Sequence, residues 1–214
     1  MKKIIVVTGG AGFIGVNLIK ELLIKTTFNI VSIDNYSAGT KKNHIKNKRI
    51  KYIKADTRNI KKILYYCKKD IHSLFHFGEF CLNNKIKLIY SATSASLGNN
   101  GQDKNLSPYS FSKAKNLEFL ENLKKWFNFK YEIIYFYNVY GNNQIGTGNM
   151  ATVIGIFENQ YKNKKPLTVV KPGNQSRRFT HIEDTIKVCY LAWKQNKCRH
   201  YAISNKKSYT ILEV

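Results

Sequence analysis

A glycine-rich turn, Gly9 to Gly15, separates two apolar segments at the start of the 214-residue chain. The segment before it, "KKIIVVTGG", is an apolar run of strand length, and the segment after it, "FIGVNLIKELLIK", has apolar residues at helical spacing. Gly9, Gly12 and Gly15 stand three apart in "TGGAGFIG". Glycines at such a junction allow a tight turn and close packing of the helix on the strand. The pattern therefore predicts a parallel βαβ unit.

Strand and helix patterns alternate through the first two thirds of the chain. The strand patterns are "FNIVSIDN", "RIKYIKAD", "IHSLFHF", "KIKLIYSAT" and "YEIIYFYNVYG", and the helix patterns are "NIKKILYYCKK" and "SPYSFSKAKNLEFLENLKKWF", which opens at Ser107 with Pro108 in its first position. This alternation predicts an α/β fold, a doubly wound parallel sheet (Rossmann fold), over residues 1–141. Residues 142–214 predict a smaller C-terminal lobe, with helices in "ATVIGIFENQYKN" and "EDTIKVCYLAWKQN" and strands in "PLTVV" and "HYAIS".

The segment "FHFGEFCLNNKIKLIYS", residues 75–91, places two predicted strands too close together. Parallel neighbours need a crossover of a dozen or more residues, and "GEFCLNN" is too short for one. We therefore expect that a crossover segment is missing near 80/81, with "CLNN" as its last turn; a genuine hairpin is the alternative. The final residues, "SYTILEV", have the pattern of a first helical turn, which predicts that the substrate lobe is truncated.

The formal charge of +23 invites a nucleic-acid interpretation. The lysines are scattered through all predicted elements and accompany abundant Asn, Ile and Tyr, which indicates compositional bias and no nucleic-acid partner. The one basic run, residues 41–51, predicts a solvated loop. A positive field of this size still favours small polyanions such as dinucleotides and nucleotide sugars.

Cysteine spacing and hydropathy set further expectations. Cys67, Cys81, Cys189 and Cys198 lie far apart without a C-x-x-C pair, which favours reduced thiols in a cytoplasmic protein over a disulfide framework or a metal site. No stretch approaches the roughly 20 apolar residues of a membrane span, and the apolar part of the N-terminus is too short for a signal peptide. We expect no membrane association and no metal.

The glycine turn carries the first ligand prediction. Its backbone can approach a pyrophosphate that rests on the helix N-terminus, and Asp34 ends the second strand near the spacing of the acid that binds adenosine ribose hydroxyls. The alternative for Asp34 is a turn or cap. No Arg follows it to receive a 2′-phosphate, so NAD is favoured over NADP, although Lys41 and Lys42 leave that question open. The cofactor-binding residues predicted here are Gly9, Gly12, Phe13, Ile14, Gly15, Asp34 and Asn35.

A tyrosine and a lysine provide the second prediction. Tyr109 and Lys113 are four residues apart on the long predicted helix and so share one face. A lysine ammonium beside a phenol favours the phenolate, which can act as a general base. Such a pair means little alone, but here it follows a dinucleotide fingerprint and the hydroxyl-rich strand end "YSATSAS".

Taken in order, these motifs resemble the extended branch of the short-chain dehydrogenase/reductase superfamily, the NAD-dependent epimerases and dehydratases of nucleotide sugars. The resemblance rests on "TGGAGFIG", "ADTRN", "YSFSK", "YNVYG" and "GNQSRRFTHIEDT" and covers nearly the whole chain. It implies NAD as cofactor, a nucleotide-diphosphate sugar as substrate and a homodimer. Arg178, where the family usually has Asp, and Tyr135, where an Arg is common, depart from the pattern.

The resemblance also implies roles for individual residues. Tyr109 would be the base, Lys113 its partner and a contact of the nicotinamide ribose, and Thr93 the hydroxyl that bonds the sugar oxygen being oxidised. The remaining residues would contact the adenine or the substrate: Asp56 and Thr57 the former, and Asn138, Asn149 and Arg177 the latter. A surface arginine is the alternative for Arg177.

The residues after Thr93 indicate which reaction follows. Dehydratases of this family usually place an Asp-Glu pair there, and "SASLG" contains no acid. Simple epimerisation needs none, so the sequence favours an NDP-sugar 4-epimerase, with UDP-glucose and UDP-galactose as the default pair. The alternatives are an ADP-heptose 6-epimerase, an NDP-sugar 4,6-dehydratase, a one-way reductase and a catalytically silent NAD-binding partner protein.

Overall fold

The computed structural model describes residues 3–57, 81–82, 85–97, 105, 107–148, 150–195, 197 and 199–214. The predictions for "NIKKILYYCKK" and "IHSLFHF" concern residues outside these ranges. Of the predicted last turn "CLNN", Cys81 and Leu82 are described and both are helical, as that prediction requires, whereas the missing crossover before them stays a prediction. The described helices are α1 Phe13–Lys25, α2 Pro108–Phe127, α3 Val153–Lys162 and α4 Ile182–Gln195. The described strands are β1 Ile4–Thr8, β2 Asn29–Asp34, β3 Ile50–Lys54, β4 Leu88–Thr93, β5 Tyr131–Phe136, β6 Val139–Tyr140, β7 Ser176–Arg177, β8 Thr180–His181, β9 His200–Ile203 and β10 Tyr209–Thr210.

The chain divides into two compact units that interleave along the sequence. One contains Met1–Lys54, Tyr137–Ile186 and Ser204–Val214, and the other contains Ala55–Phe136 and Lys187–Ile203. The predicted division assigns cofactor binding to residues 1–141 and substrate binding to residues 142–214, and it stays a prediction.

In the first unit, β1, β2 and β3 form a parallel sheet in the order β1-β2-β3. Its register pairs Val6 with Val31 and Ile33 with Ile53. α1 follows β1 through the glycine turn, and its residue Ile19 is fully buried. The βαβ prediction is therefore confirmed, with α1 over the same residues as the periodic segment.

In the second unit, β4, β5 and β9 form a parallel sheet in the order β4-β5-β9. Thr93, the last residue of β4, pairs with Phe136, the last residue of β5. Ile133 and Ile134 of β5 are completely buried, as expected of a strand covered on both faces. The parallel sheets confirm the α/β fold class.

A buried carboxylate interrupts the apolar face of β5. Glu132 is inaccessible to solvent, and its Oε1 lies 2.9 Å from the ammonium of Lys87. Its two oxygens also accept hydrogen bonds from the backbone N–H groups of Lys197 and Arg199, at 2.7 and 2.8 Å. Lys87 additionally donates to the carbonyl of Ala192 near the end of α4, at 2.6 Å. The pair thus fastens the end of α4 to the central strand of this sheet.

The first unit also contains a small lobe built around Phe157, Phe179 and Ile211. The predicted strand "PLTVV" is wrong: residues 166–170 have no strand structure. The reason lies in Gln160 of α3, whose side-chain amide bonds both the backbone N–H and the hydroxyl of Thr168, at 3.1 and 2.7 Å. The backbone N–H of Thr168 therefore bonds to a side chain of α3 and not to a neighbouring strand.

Two other predicted elements differ from the structure. The strand "YEIIYFYNVYG" divides into β5 and β6, because Asn138 between them has a φ of 38°. In "SYTILEV", Tyr209 and Thr210 form β10, antiparallel to β7, and residues 211–213 form a turn instead of a helix. Thr210 and Glu213 there exchange side-chain to backbone hydrogen bonds, at 3.2 and 2.7 Å, which is a capping box. Residues 210–213 thus have the hydrogen bonds of a helix start within a turn.

Candidate active site

The glycine turn between β1 and α1 brings its backbone segments very close together. Gly9 has a φ of 67°, and its N–H donates to the carbonyl of Ile33 at 2.8 Å. A Cβ on Gly15 would lie 2.1 Å from the carbonyl oxygen of Gly9, so only glycine fits there. α1 begins at Phe13, and the N–H groups of the first turn of a helix have no intrahelical partner. The residues present therefore fit the diphosphate of a dinucleotide.

Asp34 connects the end of β2 to this turn. Its Oδ2 accepts a hydrogen bond from the backbone N–H of Ala11 at 2.9 Å, and its Oδ1 accepts one from Tyr36 at 2.7 Å. Asn35, beside it, accepts the N–H of Ser37 at 2.9 Å. A carboxylate has lone pairs beyond these two bonds, so Asp34 can still receive ribose hydroxyls. The turn role and the ribose role are compatible.

The basic run is more than a solvated loop. Asn43 donates its side-chain amide to the carbonyl of Ala11 at 2.8 Å, and the backbone N–H of Thr40 donates to the same oxygen at 3.1 Å. His44 stacks on Tyr52, with ring centroids 3.8 Å apart. Sequence reasoning missed these roles because neither contact follows from a local spacing.

Arg49 of the same run is also structural. Its guanidinium donates to the carbonyls of Leu23 and Thr26 at the C-terminal end of α1. These carbonyls have no partner within the helix, so a cation there stabilises the helix end. The prediction of a solvated loop for residues 41–51 is therefore wrong for Asn43, His44 and Arg49.

Asp56 and Thr57 follow β3 in the chain, separated from it by Ala55. Asp56 is partly buried and Thr57 is exposed. Their contact with an adenine stays a prediction.

In the second unit, two of the predicted catalytic residues, Thr93 and Lys113, lie near the end of β4. Thr93 ends the strand, and its hydroxyl accepts the N–H of Ala95 at 3.3 Å, which caps the short 3-10 turn Ser94–Ser96. α2 packs against this turn and against β4. Its residue Lys113 donates to the backbone carbonyl of Ser91 at 2.8 Å. Burial lowers the pKa of Lys113.

Tyr109 lies one turn before Lys113 on α2, and its side chain is 57% exposed. The helix starts where the sequence predicts: the Ser107 hydroxyl accepts the N–H of Ser110 at 3.1 Å, with Pro108 next to it. This cap fixes the start of α2 and so places Tyr109 in its first turn. Its phenol is therefore accessible to a ligand.

Two further residues of this group were not predicted. The ring of Tyr90 lies under the Lys113 ammonium, 5.0 Å from it, and the Tyr90 hydroxyl accepts a hydrogen bond from Asn116 at 3.0 Å. Asn116 is three residues after Lys113, so helical spacing could have placed it on the same face.

The predicted substrate residues of the small lobe are only partly placed. Asn138 donates its side-chain amide to the carbonyl of Arg178 at 3.0 Å. Arg178 lies two residues before β8, so this bond fixes the chain just ahead of that strand. Arg177 lies in β7 and is exposed, with one guanidinium nitrogen bonded to the carbonyl of Ser176 at 2.9 Å. A guanidinium has five donors, so others remain for an anion. Asn149 lies outside the described residues.

The two residues that depart from the family pattern differ in their surroundings. Arg178 is exposed, and its carbonyl receives Asn138. Tyr135 is buried in β5, and its hydroxyl is hydrogen-bonded to His200 of β9 at 3.2 Å.

In the part of the chain that the structure describes, no group of three His, Cys, Asp or Glu side chains could hold a metal ion. Within the same residues, no helix has the length and apolar character needed to cross a membrane.

Comparison with solved structures confirms the fold. A UDP-glucuronic acid 4-epimerase from Bacillus cereus, in complex with UDP-glucuronic acid and NAD, superposes with a TM-score of 0.83 at 26% identity over 99% of this chain and 80% of that one. A UDP-N-acetylglucosamine 4-epimerase from Methanobrevibacter ruminantium M1, in complex with UDP-N-acetylmuramic acid, has a TM-score of 0.83 at 25% identity over 99% and 79% of the two chains.

The sequence is also similar to an ADP-L-glycero-D-manno-heptose-6-epimerase of Brachyspira hyodysenteriae, at 28% identity over 86% of this chain and 70% of the relative. That alignment spans 223 positions although 86% of 214 residues is only about 184, so about 40 positions of the relative have no counterpart here. The segment predicted to be missing near 80/81 stays a prediction. The model of the NAD-dependent epimerase/dehydratase family matches residues 5–84 and 53–204. The chain belongs to this family.

Proposed function

We propose that this protein is a nucleotide-sugar 4-epimerase with Tyr109 as its base. The observation that carries the proposal is the arrangement at the end of β4, where Thr93 ends the strand and Lys113 of α2 is bonded to the carbonyl two residues before it. Family membership supplies the enzyme class and the cofactor, NAD. The glycine turn supplies a place for the diphosphate of that cofactor.

The proposed chemistry starts at a sugar hydroxyl on C4. Tyr109 takes the hydroxyl proton, Thr93 donates a hydrogen bond to the same oxygen, and the Lys113 ammonium stabilises the phenolate. NAD, when bound, would supply a reversible acceptor for the hydride on that carbon. When the ring presents its other face, Tyr109 gives its proton back, so the protein and its cofactor end unchanged.

The 3-10 turn after Thr93 supports epimerisation over elimination. Residues 94–97, "SASL", contain neither Asp nor Glu, so this turn offers no acid or base for removing water. Epimerisation at one carbon needs only Tyr109 and a returned hydride.

The proposed substrates are UDP-sugars, with UDP-glucose and UDP-galactose as the first pair to test. The two solved 4-epimerases described above contain UDP-linked ligands, which favours this class. On this proposal Arg177 and Asn138 contact the substrate diphosphate, Asn149 adds a polar contact, and Asp34, Asp56 and Thr57 bind the adenosine of NAD. A guanidinium suits the diphosphate because it can bond two oxygens at once.

A heptose 6-epimerase is the second candidate function. The 28% identical heptose-6-epimerase relative favours it. The two candidates use the same base and differ in the sugar and in the carbon inverted, so a substrate panel separates them.

We also propose a cytoplasmic homodimer. The cysteines Cys81 and Cys189 are buried free thiols, as in a reducing compartment. On α2, the helix that carries Tyr109, the side chains of Phe111, Trp126 and Phe127 are about half exposed or more. Apolar groups on one long helix suit contact with a second copy, and light scattering of the purified protein tests this directly.

The hydride step has its own test. A UDP-sugar with deuterium at C4 should keep the label at C4 in the product, because the same hydride leaves and returns. Loss of the deuterium to solvent would contradict the proposed route.

A further inference from the structure

Tyr90 and Asn116 form a pair beside the proposed catalytic lysine. Tyr90 belongs to β4, and the centroid of its ring is 5.0 Å from the Lys113 ammonium. Asn116 belongs to α2, and its side-chain amide donates to the Tyr90 hydroxyl at 3.0 Å. The hydrogen bond fixes the ring from the same helix that carries Lys113.

We propose that Tyr90, held by Asn116, is a positioning residue that keeps the Lys113 ammonium in place and charged. The inference rests on the proposed function, in which Lys113 serves Tyr109. The negative face of an aromatic ring attracts a cation within about 6 Å. It therefore favours the protonated amine over the neutral one.

Lys113 needs such support because its surroundings oppose its charge. Burial lowers the pKa of Lys113, and within the described residues it forms no ion pair with a carboxylate. The carbonyl of Ser91 accepts one of its three ammonium hydrogens. Among the described residues, the titratable group in contact with Lys113 is the phenol of Tyr90 from β4, and Tyr109 precedes Lys113 by one turn on α2 itself. The ring thus stabilises the ammonium as a carboxylate would, without adding a negative charge near Tyr109.

The tyrosine hydroxyl has a separate task. Burial raises the pKa of Tyr90, so its phenol stays protonated and the ring stays neutral. Its oxygen accepts the Asn116 hydrogen bond and so prevents the ring from turning its edge to the ammonium. A phenylalanine would keep the ring face but lose this anchor, and a leucine would lose both.

The test is an NMR titration of the lysine side chains in the full chain, labelled with carbon-13 at Cε. Parent protein is compared with Tyr90→Leu, Tyr90→Phe and Asn116→Ala. In Tyr90→Leu we expect the neutral fraction of Lys113 at a fixed pH to rise about threefold to tenfold, which is the loss of a partly buried cation–π contact. Tyr90→Phe and Asn116→Ala both keep the ring and remove the hydrogen bond that anchors it, so both should lie between the parent and Tyr90→Leu.

Lys115 is the internal control. It lies on the same helix, and its ammonium is 2.7 Å from Glu118. Its titration should be the same in all four proteins. Tyr190→Leu is the matched tyrosine variant, because that ring packs on Trp193, 5.7 Å away, in α4. It should leave the Lys113 titration unchanged.

A Lys113 titration in Tyr90→Leu that superimposes on that of the parent would overturn the inference. If Tyr90→Leu does not fold, Asn116→Ala with an unchanged Lys113 titration would do the same. Tyr109→Phe, assayed for turnover in parallel, separates this result from the proposed function. Retained turnover there would refute Tyr109 as base, whereas the lysine titration does not depend on turnover.

Discussion

The ammonium of Lys113 is hydrogen-bonded to the backbone carbonyl of Ser91, 2.8 Å away, so α2 is fastened to β4 two residues before Thr93. The bond sets the lysine at the carboxyl end of a parallel strand, where ligands bind in open α/β sheets. The proposed catalytic groups Thr93 and Lys113 thus belong to adjacent, connected elements.

Tyr109→Phe should abolish most of the turnover and leave cofactor binding intact. The change removes the proton acceptor and keeps the ring, so we expect kcat to fall about a hundredfold to ten-thousandfold. Calorimetric titration with NAD should give a Kd close to that of the parent. Turnover at the parental rate would mean that another group is the base.

Lys113→Met should stabilise the fold at neutral pH while removing activity. Because burial lowers the pKa of Lys113, the unfolded chain binds more protons than the native one between the two pKa values. The contribution of Lys113 to stability is therefore unfavourable near neutral pH, and it becomes less so as the pH rises through that range. Methionine has no such cost.

The measurement is the melting temperature of both proteins from neutral to alkaline pH. The gain from Lys113→Met should shrink as the pH rises, because the parent then loses its buried charge. A gain that grows with pH would contradict this sign.

Asn43→Ala should weaken NAD binding by about threefold to tenfold, the value of one hydrogen bond. The side chain of Asn43 holds the carbonyl of Ala11 inside the glycine turn, so its loss loosens the turn without removing a ligand contact. Asn47→Ala is the matched control, since the side chain of Asn47 accepts the nearby N–H of Arg49 at 2.9 Å, away from the glycine turn. Equal Kd values for NAD in the two variants would show that Asn43 does not support the turn.

Glu132→Ala should destabilise the protein by about 3–5 kcal/mol, because it leaves the ammonium of Lys87 partly buried and without its carboxylate. Urea unfolding measures the effect. The double variant Glu132→Leu with Lys87→Met should lose less stability than the sum of the losses in Glu132→Leu and in Lys87→Met, since it removes both charges together. Additive costs would mean that the two side chains do not stabilise one another.

The local elements were predictable because their signals lie in neighbouring residues. The span of α1 and the cap of α2 follow from periodicity and from Ser107 and Pro108, and the glycine turn follows from its spacing. The fold class follows from the same alternation. The pairing of Tyr109 with Lys113 follows from helical spacing and the role of Thr93 from the family resemblance, and all three catalytic roles stay predictions.

The contacts that sequence reasoning missed join residues far apart in the chain. Glu132 in a strand pattern gives no sign of Lys87, and Asn43 gives no sign of Ala11, 32 residues before it. The wrong prediction of a strand at residues 166–170 has the same cause, because the side chain of Gln160 in α3 accepts the backbone N–H of Thr168. Local propensity does not decide such cases, since tertiary contacts override it.

The central claim is that the protein inverts C4 of a nucleotide sugar with bound NAD. An NMR time course of the protein with NAD⁺ and a panel of UDP-, GDP- and ADP-sugars tests it most directly. The account predicts one sugar whose C4 configuration equilibrates without net NADH. A 4-keto-6-deoxy product would contradict the claim, because elimination would then proceed although residues 94–97 contain neither Asp nor Glu.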